Sequence, residues 1–282
     1  MTLETFLLVA LSALMHAYWN FLLKRCGGSQ TAVALSKLVE TAVFLPLLLF
    51  GLTPGSDRML GSWLLPVVGA AFVLVTYVLL AAAYKRGDLS VIYPVVRGGI
   101  LVFLPPLAYF TLGERLKPAG WVAIATIVIG IGVLQFWKRD LRHALITPAI
   151  VLAVAAAFIT AANTIWDKQA VQSMPPVTYF GAYTVLVGIA YVPFLWPAAS
   201  KRIWNREWRN IVQIGLFNSG SYLLTLLALQ SGAASHVIAV RQLSIAIGAL
   251  LGWRWLGESM PAPRVAGVIL VVCGCVLMGL TK

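Results

Sequence analysis

Two arginines stand where arginine is costly. Arg97 lies in the apolar run 90–112 and Arg241 in the run 235–256, each six or seven residues past its start. At 1.5 Å per helical residue both are about 10 Å deep. A guanidinium keeps its charge, and within a bilayer it costs on the order of several kcal/mol unless it faces a cavity or a partner. Its planar fork pairs bidentately with a carboxylate, phosphate or phosphonate, so a buried pair of arginines suits recognition of an anionic group. The competing reading is snorkelling or a structural salt bridge. Other polar and aromatic residues gather at comparable depths: His16, Trp19 and Asn20 near the end of the first run, Tyr93 beside Arg97, Trp166 in the sixth run, and Gln242 beside Arg241. His16 and Asn20 are one helical turn apart and line one face. For Trp19 and Trp166 a binding wall and an interfacial anchor are both open. The substrate-binding candidates are therefore Arg97, Arg241, His16, Asn20, Trp19, Tyr93, Trp166 and Gln242.

Three further residues are candidates for ion or proton coupling. Lys37 and Glu40 are three apart and share a helix face; Glu40 is either a coupling carboxylate tuned by its neighbour or half of a structural pair. Asp167, next to Lys168, is a second coupling candidate or the mark of a helix end. Glu114 and Glu258 follow glycines at the ends of their runs and read as structural turn residues. Pro94, Gly98 and Gly99 around Arg97 suggest a hinge or a kink, and Gly130, Gly132 and Gly274 suggest close helix contact.

No catalytic constellation accompanies these groups. The sequence has no HExxH, no GxSxG, no Walker A and no EF-hand spacing. Its three histidines, His16, His143 and His236, are scattered, which makes a metal site improbable. Cys26, Cys273 and Cys275 form neither a disulfide framework nor a metal motif. No enzyme and no cofactor is expected; the partners expected are a small-molecule substrate and the lipid bilayer, not nucleic acid.

The elements that hold these residues follow from composition. Of 282 residues 60% are hydrophobic and 11% charged, and the mean hydropathy is +0.89. A soluble domain is about 25% charged, so a globule of this size would lack the charge to cover its surface. Ten apolar segments are legible, at about 4–24, 31–52, 62–84, 90–112, 118–137, 146–168, 177–197, 209–230, 235–256 and 262–280. The runs are continuous, without a period of two, which excludes a β-barrel and makes them helices. The first lacks a basic leader and is expected to be retained as a helix rather than cleaved.

The chain also repeats itself. Trp19-Asn20 matches Trp166-Asp167 and Pro46 matches Pro193, both at an offset of 147. Arg97 matches Arg241, Leu112-Gly113-Glu114 matches Leu256-Gly257-Glu258, and Gly130 matches Gly274, all at an offset of 144. Each repeat holds five helices, an odd number that inverts the second relative to the first. The basic residues cluster in alternate connections, at Lys24-Arg25, Lys85-Arg86, Lys138-Arg139-Arg142, 201–209 and Arg254–Arg264, against Arg58, Arg115, Lys117, Lys168 and Lys282 on the other side. The positive-inside rule then puts both termini outside the cytoplasm. The net charge of +12 is accounted for by these loops rather than by a nucleic-acid surface.

With the repeats in view, the chain resembles the EamA branch of the drug/metabolite transporter superfamily over nearly its whole length. His16-Ala17-Tyr18-Trp19-Asn20, Tyr93-Pro94-Val95-Val96-Arg97-Gly98 and Arg241-Gln242-Leu243-Ser244 resemble more specifically a subgroup associated with phosphonate utilisation. The resemblance implies an all-α integral membrane protein of ten transmembrane helices, with repeats at 1–140 and 141–282. It implies that helices 1, 3, 4, 6, 8 and 9 surround a central cavity, with alternating access without ATP. It also implies a multi-pass protein of the inner (plasma) membrane, in which one monomer closes a cavity by itself. The function expected is secondary transport of a small anionic or zwitterionic metabolite, such as an amino acid, organic acid or phosphonate. The alternatives are export of aromatic or hydrophobic compounds and, in another class, a membrane enzyme on a lipid-linked substrate or a non-transporting scaffold.

Overall fold

The computed structural model describes residues 1–27, 30–50, 63–136, 147–195 and 198–281, and among these every regular element is helical. In chain order they are α1 (Leu3–Arg25), α2 (Gln30–Leu49), α3 (Leu64–Tyr84), α4 (Leu89–Leu112), α5 (Pro118–Phe136), α6 (Pro148–Ser173), α7 (Pro176–Tyr191), α8 (Ala198–Ser231), α9 (Ala234–Arg241), α10 (Leu243–Leu256) and α11 (Ala262–Leu280), with a 3-10 turn at Val192–Leu195 after α7. Among the described residues nine helical stretches are long and apolar enough to cross a membrane, α9 and α10 forming one of them together. The chain is a multi-pass membrane protein. Arg58, Lys138, Arg139, Arg142, His143 and Lys282 lie outside the described residues.

Local chemistry sets the helix ends. The Thr2 hydroxyl accepts from Thr5 N at the start of α1, and Thr147 caps α6 with Pro148 in the first turn, where a missing N–H costs nothing. Gly113 and Gly257 end α4 and α10 with φ of 68° and 67°, a left-handed conformation that a Cβ disfavours. In both turns the glutamate after the glycine closes back on the helix, Glu114 N on Ala108 O and Glu258 N on Gly252 O, each at 3.2 Å. The Leu-Gly-Glu signature is thus one turn built twice.

Four expectations change. The ninth segment is two helices: at Gln242 the chain turns tightly, with Gln242 N bonded to Ala239 O and Ile245 N to Gln242 O, so α9 stops beside Arg241. Helix α6 does not end at Asp167-Lys168 but continues to Ser173, which moves both residues inside it. The stretch 198–208, expected as a loop, is helical and continuous with α8, whose 34 residues reach about 51 Å, well beyond a hydrocarbon core of ~30 Å. Helix α7 has 16 residues, about 24 Å, and reaches bilayer length only with the following 3-10 turn, which holds Pro193.

Packing joins the two halves of the chain. Helix α1 lies along α8 and against α9 and α10, α6 lies against α3 and α4, α2 packs on α7 and α8, and α5 packs along α11. Small residues permit the last contact. A Cβ on Gly130 would sit 2.8 Å from Val271 N, and one on Gly274 2.9 Å from Ala123 O, so both glycines bring backbone to backbone. Gly132 departs from expectation: a Cβ there would meet nothing within 4 Å.

Candidate functional site

A central cavity of about 150 Å³ opens between α3, α4, α6, α8 and α9. Its polar wall carries Arg97 from α4, Thr160, Asn163, Thr164 and Asp167 from α6, Tyr222 and Thr225 from α8, and Arg241 and Gln242 where α9 meets α10. Thr160, Asn163, Thr164 and Asp167 stand at i, i+3, i+4 and i+7, so they form one stripe along a single helix face.

The two arginines converge on one imidazole from α1. Arg97 Nη2 lies 2.6 Å from His16 Nε2, and Arg241 Nη2 lies 3.3 Å from His16 Nδ1. Trp19 Nε1 also donates to Nδ1, at 3.2 Å. Arginine and tryptophan have only donors, and a neutral imidazole has one accepting nitrogen. Three obligate donors are therefore directed at a ring that can satisfy one nitrogen's worth of them, so at least one arginine lacks an acceptor in either tautomer. Among the described residues no carboxylate comes within ion-pair distance of either arginine. Arg241 Nε is buried without a hydrogen-bond partner. Each guanidinium rests on a tyrosine ring, Arg97 on Tyr93 at 5.3 Å and Arg241 on Tyr222 at 5.8 Å, contacts that hold the planes without neutralising them. The two guanidiniums are thus held together with fewer acceptors than donors.

Asp167 stands at the same cavity, 4% exposed. It accepts from Tyr179 Oη at 2.7 Å, Tyr222 Oη at 2.5 Å and Asn163 Nδ2 at 3.1 Å. Tyr222 thus touches the carboxylate with its hydroxyl and Arg241 with its ring face. Asn163 Oδ1 and Gln242 Oε1 are buried without partners.

Other candidates fall elsewhere. Asn20 Nδ2 donates to its own helix at His16 O, 2.7 Å away, and Trp166 Nε1 donates to Leu65 O at 2.9 Å, tying α6 to α3; neither lines the cavity. Trp19 packs edge-on against His16, 5.2 Å between centroids, and holds that ring rather than forming a wall. Lys37 and Glu40 are buried together on α2. Lys37 Nζ is 3.0 Å from both carboxylate oxygens, which also accept from Thr184 at 3.1 Å and Asn218 at 2.9 Å. The pair is saturated, tethers α2 to α7 and α8, and does not border the cavity.

The helix-end glutamates differ from each other. Glu114 reaches across to α9 and accepts from Ala234 N at 2.8 Å, capping that helix where its free N–H groups favour an anion. Lys168 lies 3.7 Å from Glu114 and donates to Leu229 O at 3.2 Å and Gly232 O at 2.6 Å, closing the end of α8. Glu258, at the opposite face, binds Lys24 and Arg264 instead. Partial burial lifts its carboxyl, but hydrogen bonds and charge from those two bases hold it below the usual carboxylate range. Among the described residues no three His, Cys, Asp or Glu side chains gather as metal ligands.

Residues 147–280 match the EamA-like transporter family. That match covers just under half of the chain. The pseudopaline exporter CntI of Pseudomonas aeruginosa strain UCBPP-PA14 is 25% identical over 218 residues, 77% of this chain and 73% of that one. The same exporter from strain PAO1 matches to the same extent. One solved crystal structure superposes with a TM-score of 0.80 over 98% of this chain and 96% of its own length, at 16% identity, which shows a shared fold.

Several residues escaped the sequence candidates: Thr160, Thr164, Tyr222 and Thr225, which line the cavity, and Tyr179, which binds Asp167. A signal for two of them was present, since the polar stripe from Thr160 to Asp167 interrupts an otherwise apolar helix at helical spacing. Tyr179 and Tyr222 carry no such mark, because an aromatic residue in a membrane helix equally serves packing or the interface.

Proposed function

We propose that this protein is an EamA-type secondary transporter of the inner (plasma) membrane that moves a small anionic or zwitterionic metabolite by alternating access. The observation that carries the reading is the meeting of Arg97 and Arg241 on the two nitrogens of His16, with fewer acceptors than donors. A substrate carboxylate, phosphate or phosphonate supplies the missing acceptors, and its charge offsets that of the guanidiniums. Of the carboxylates, Asp167 is the coupling residue in this reading: it borders the cavity and has no basic partner within 4 Å among the described residues, whereas Glu40 is ion-paired with Lys37 and does not line the cavity.

Two inverted five-helix repeats, 1–140 and 141–282, form the scaffold we infer. The packing supports this, because α1 meets α8, α9 and α10 as α6 meets α3 and α4, a pattern unchanged when the halves are exchanged. The exchange is imperfect in an informative way. On the face bearing the termini, Glu114 caps α9, Lys168 closes α8, and α6 packs on α8. On the other face Glu258 is held by Lys24 and Arg264, and α1 makes scarcely any contact with α3. We read this as a state closed at the terminal face and open at the basic face, which the loop charges assign to the cytoplasm. The relatives named as exporters support the outward direction.

Flux of radiolabelled amino acids, organic acids and phosphonates into proteoliposomes tests the proposal. An anionic or zwitterionic compound is expected to move down an imposed gradient, with loss of most flux in Arg97→Gln and Arg241→Gln. Unchanged flux with both substitutions together would sink the assigned role.

A further inference from the structure

The orphaned atoms of the cavity are of two kinds, and only one kind calls for an anion. Arg241 Nε is a buried donor without an acceptor; Asn163 Oδ1 and Gln242 Oε1 are buried acceptors without donors. The amide orientations are fixed by their other ends. Asn163 Nδ2 donates to Asp167 at 3.1 Å and to Tyr222 Oη at 3.2 Å, and Gln242 Nε2 donates to Ile238 O at 3.0 Å. Both oxygens are thus left as acceptors on side chains that line the cavity. An unmet buried acceptor is destabilising unless something that enters the site supplies the proton.

Asp167 adds charge to the same wall. Its oxygens take three neutral donors and no cation within 4 Å among the described residues, Arg241 standing on the far side of Tyr222. The wall therefore combines a carboxylate with two acceptor-only carbonyl groups. A hydroxyl carries one proton and no charge; an ammonium carries three donors and a positive charge, which matches both the number of acceptors and the carboxylate beside them.

We propose that Asn163, Asp167 and Gln242 form an ammonium subsite, so that the substrate carries an amino group as well as the anionic group held by Arg97 and Arg241. This rests on the anion site proposed above and narrows its substrate class to amino-carboxylates and amino-phosphonates. The two subsites share one cavity of about 150 Å³, and a volume of that order takes a molecule of roughly benzene size, so the two charged ends belong to a short molecule. Tyr222 links the ends, with its ring on Arg241 and its hydroxyl on Asp167.

Matched ligands that differ only in the amine test the subsite. Binding of aspartate against succinate, and of 2-aminoethylphosphonate against ethylphosphonate, is measured on the purified full chain by calorimetry. Each amine is expected to bind at least about ten-fold more tightly than its partner compound, the effect of one to two charge-assisted hydrogen bonds. Gln242→Leu should erase most of that preference, while Gln242→Glu, which keeps the acceptor, should preserve or enlarge it. Arg97→Gln should weaken both members of a pair alike. Equal affinity within both pairs, with the arginine dependence retained, overturns the ammonium subsite and leaves the anion site standing. Binding of neither member by the native protein overturns both.

Discussion

The buried Lys37–Glu40 pair offers a sharp test of what is structural and what is not. Lys37→Met removes the ammonium that sits 3.0 Å from both oxygens of Glu40 and leaves the carboxylate with only Thr184 and Asn218 as donors. Stranding one charge of a buried pair costs about 3–5 kcal/mol. For a chain of this size each kcal/mol moves the melting temperature by about 2–4 °C, so a fall on the order of 10 °C is expected. Lys37→Met combined with Glu40→Met removes both charges. It leaves two donors, Thr184 and Asn218, without their acceptor, at about 1 kcal/mol each, and should recover most of the lost stability. Thermal unfolding in detergent, followed by tryptophan fluorescence, reads all three proteins. Flux through the double variant should remain near native, because the pair lies away from the cavity. If the single variant melts like the native protein, the desolvation argument is wrong. If the double variant folds but transports nothing, Glu40 is a coupling residue and its assignment as a tether fails.

Two further outcomes follow from named contacts. Gly130→Ala puts a Cβ 2.8 Å from the backbone nitrogen of Val271 and should lower the melting temperature by several degrees, whereas Gly132→Ala, with nothing within 4 Å, should leave it unchanged or slightly raised. The depressed carboxyl of Glu258 contributes stability that is full above the unfolded carboxylate value of about 4.3 and is lost as pH falls through the lower folded value. The melting-temperature gap between the native protein and Glu258→Gln should therefore be constant near neutrality and close in acid below about pH 4. It should also shrink in high salt, since the Lys24 partner is exposed.

Much of the fold was legible because lipid leaves the chain few options. Continuous apolar runs must be helices, and the recurrence of Leu-Gly-Glu marked a turn that the structure repeats at Gly113 and Gly257. The long α8 was not legible from hydropathy, because Lys201, Arg202, Arg206 and Arg209 lower it while leaving helix propensity intact. Nor was the break at Gln242, where no proline or glycine signals the tight turn. At the cavity, the intramembrane charges Arg97 and Arg241 stood out through their cost, whereas Asp167 read equally as a coupling residue or the mark of a helix end. Their convergence did not stand out: that His16 lies between the two arginines, and that Tyr222 spans Arg241 and Asp167, depends on contacts between different helices, most of them more than fifty residues apart in sequence. Trp166 and Asn20 misled because a polar group near a helix end bonds as readily to a backbone carbonyl as to a ligand.

The central claim is that Arg97 and Arg241 together hold an anionic group for which His16 is an insufficient acceptor. Its most direct test is the thermal shift produced by a panel of small amino-carboxylates and phosphonates on the native protein and on Arg97→Gln, Arg241→Gln and the double variant. Loss of one charge-assisted contact, about 1.5–3 kcal/mol, weakens binding roughly ten- to hundred-fold. The account predicts stabilisation of the native protein that rises with ligand concentration, is reduced in each single variant and disappears in the double variant. Stabilisation of equal size and equal midpoint in all four proteins would contradict it.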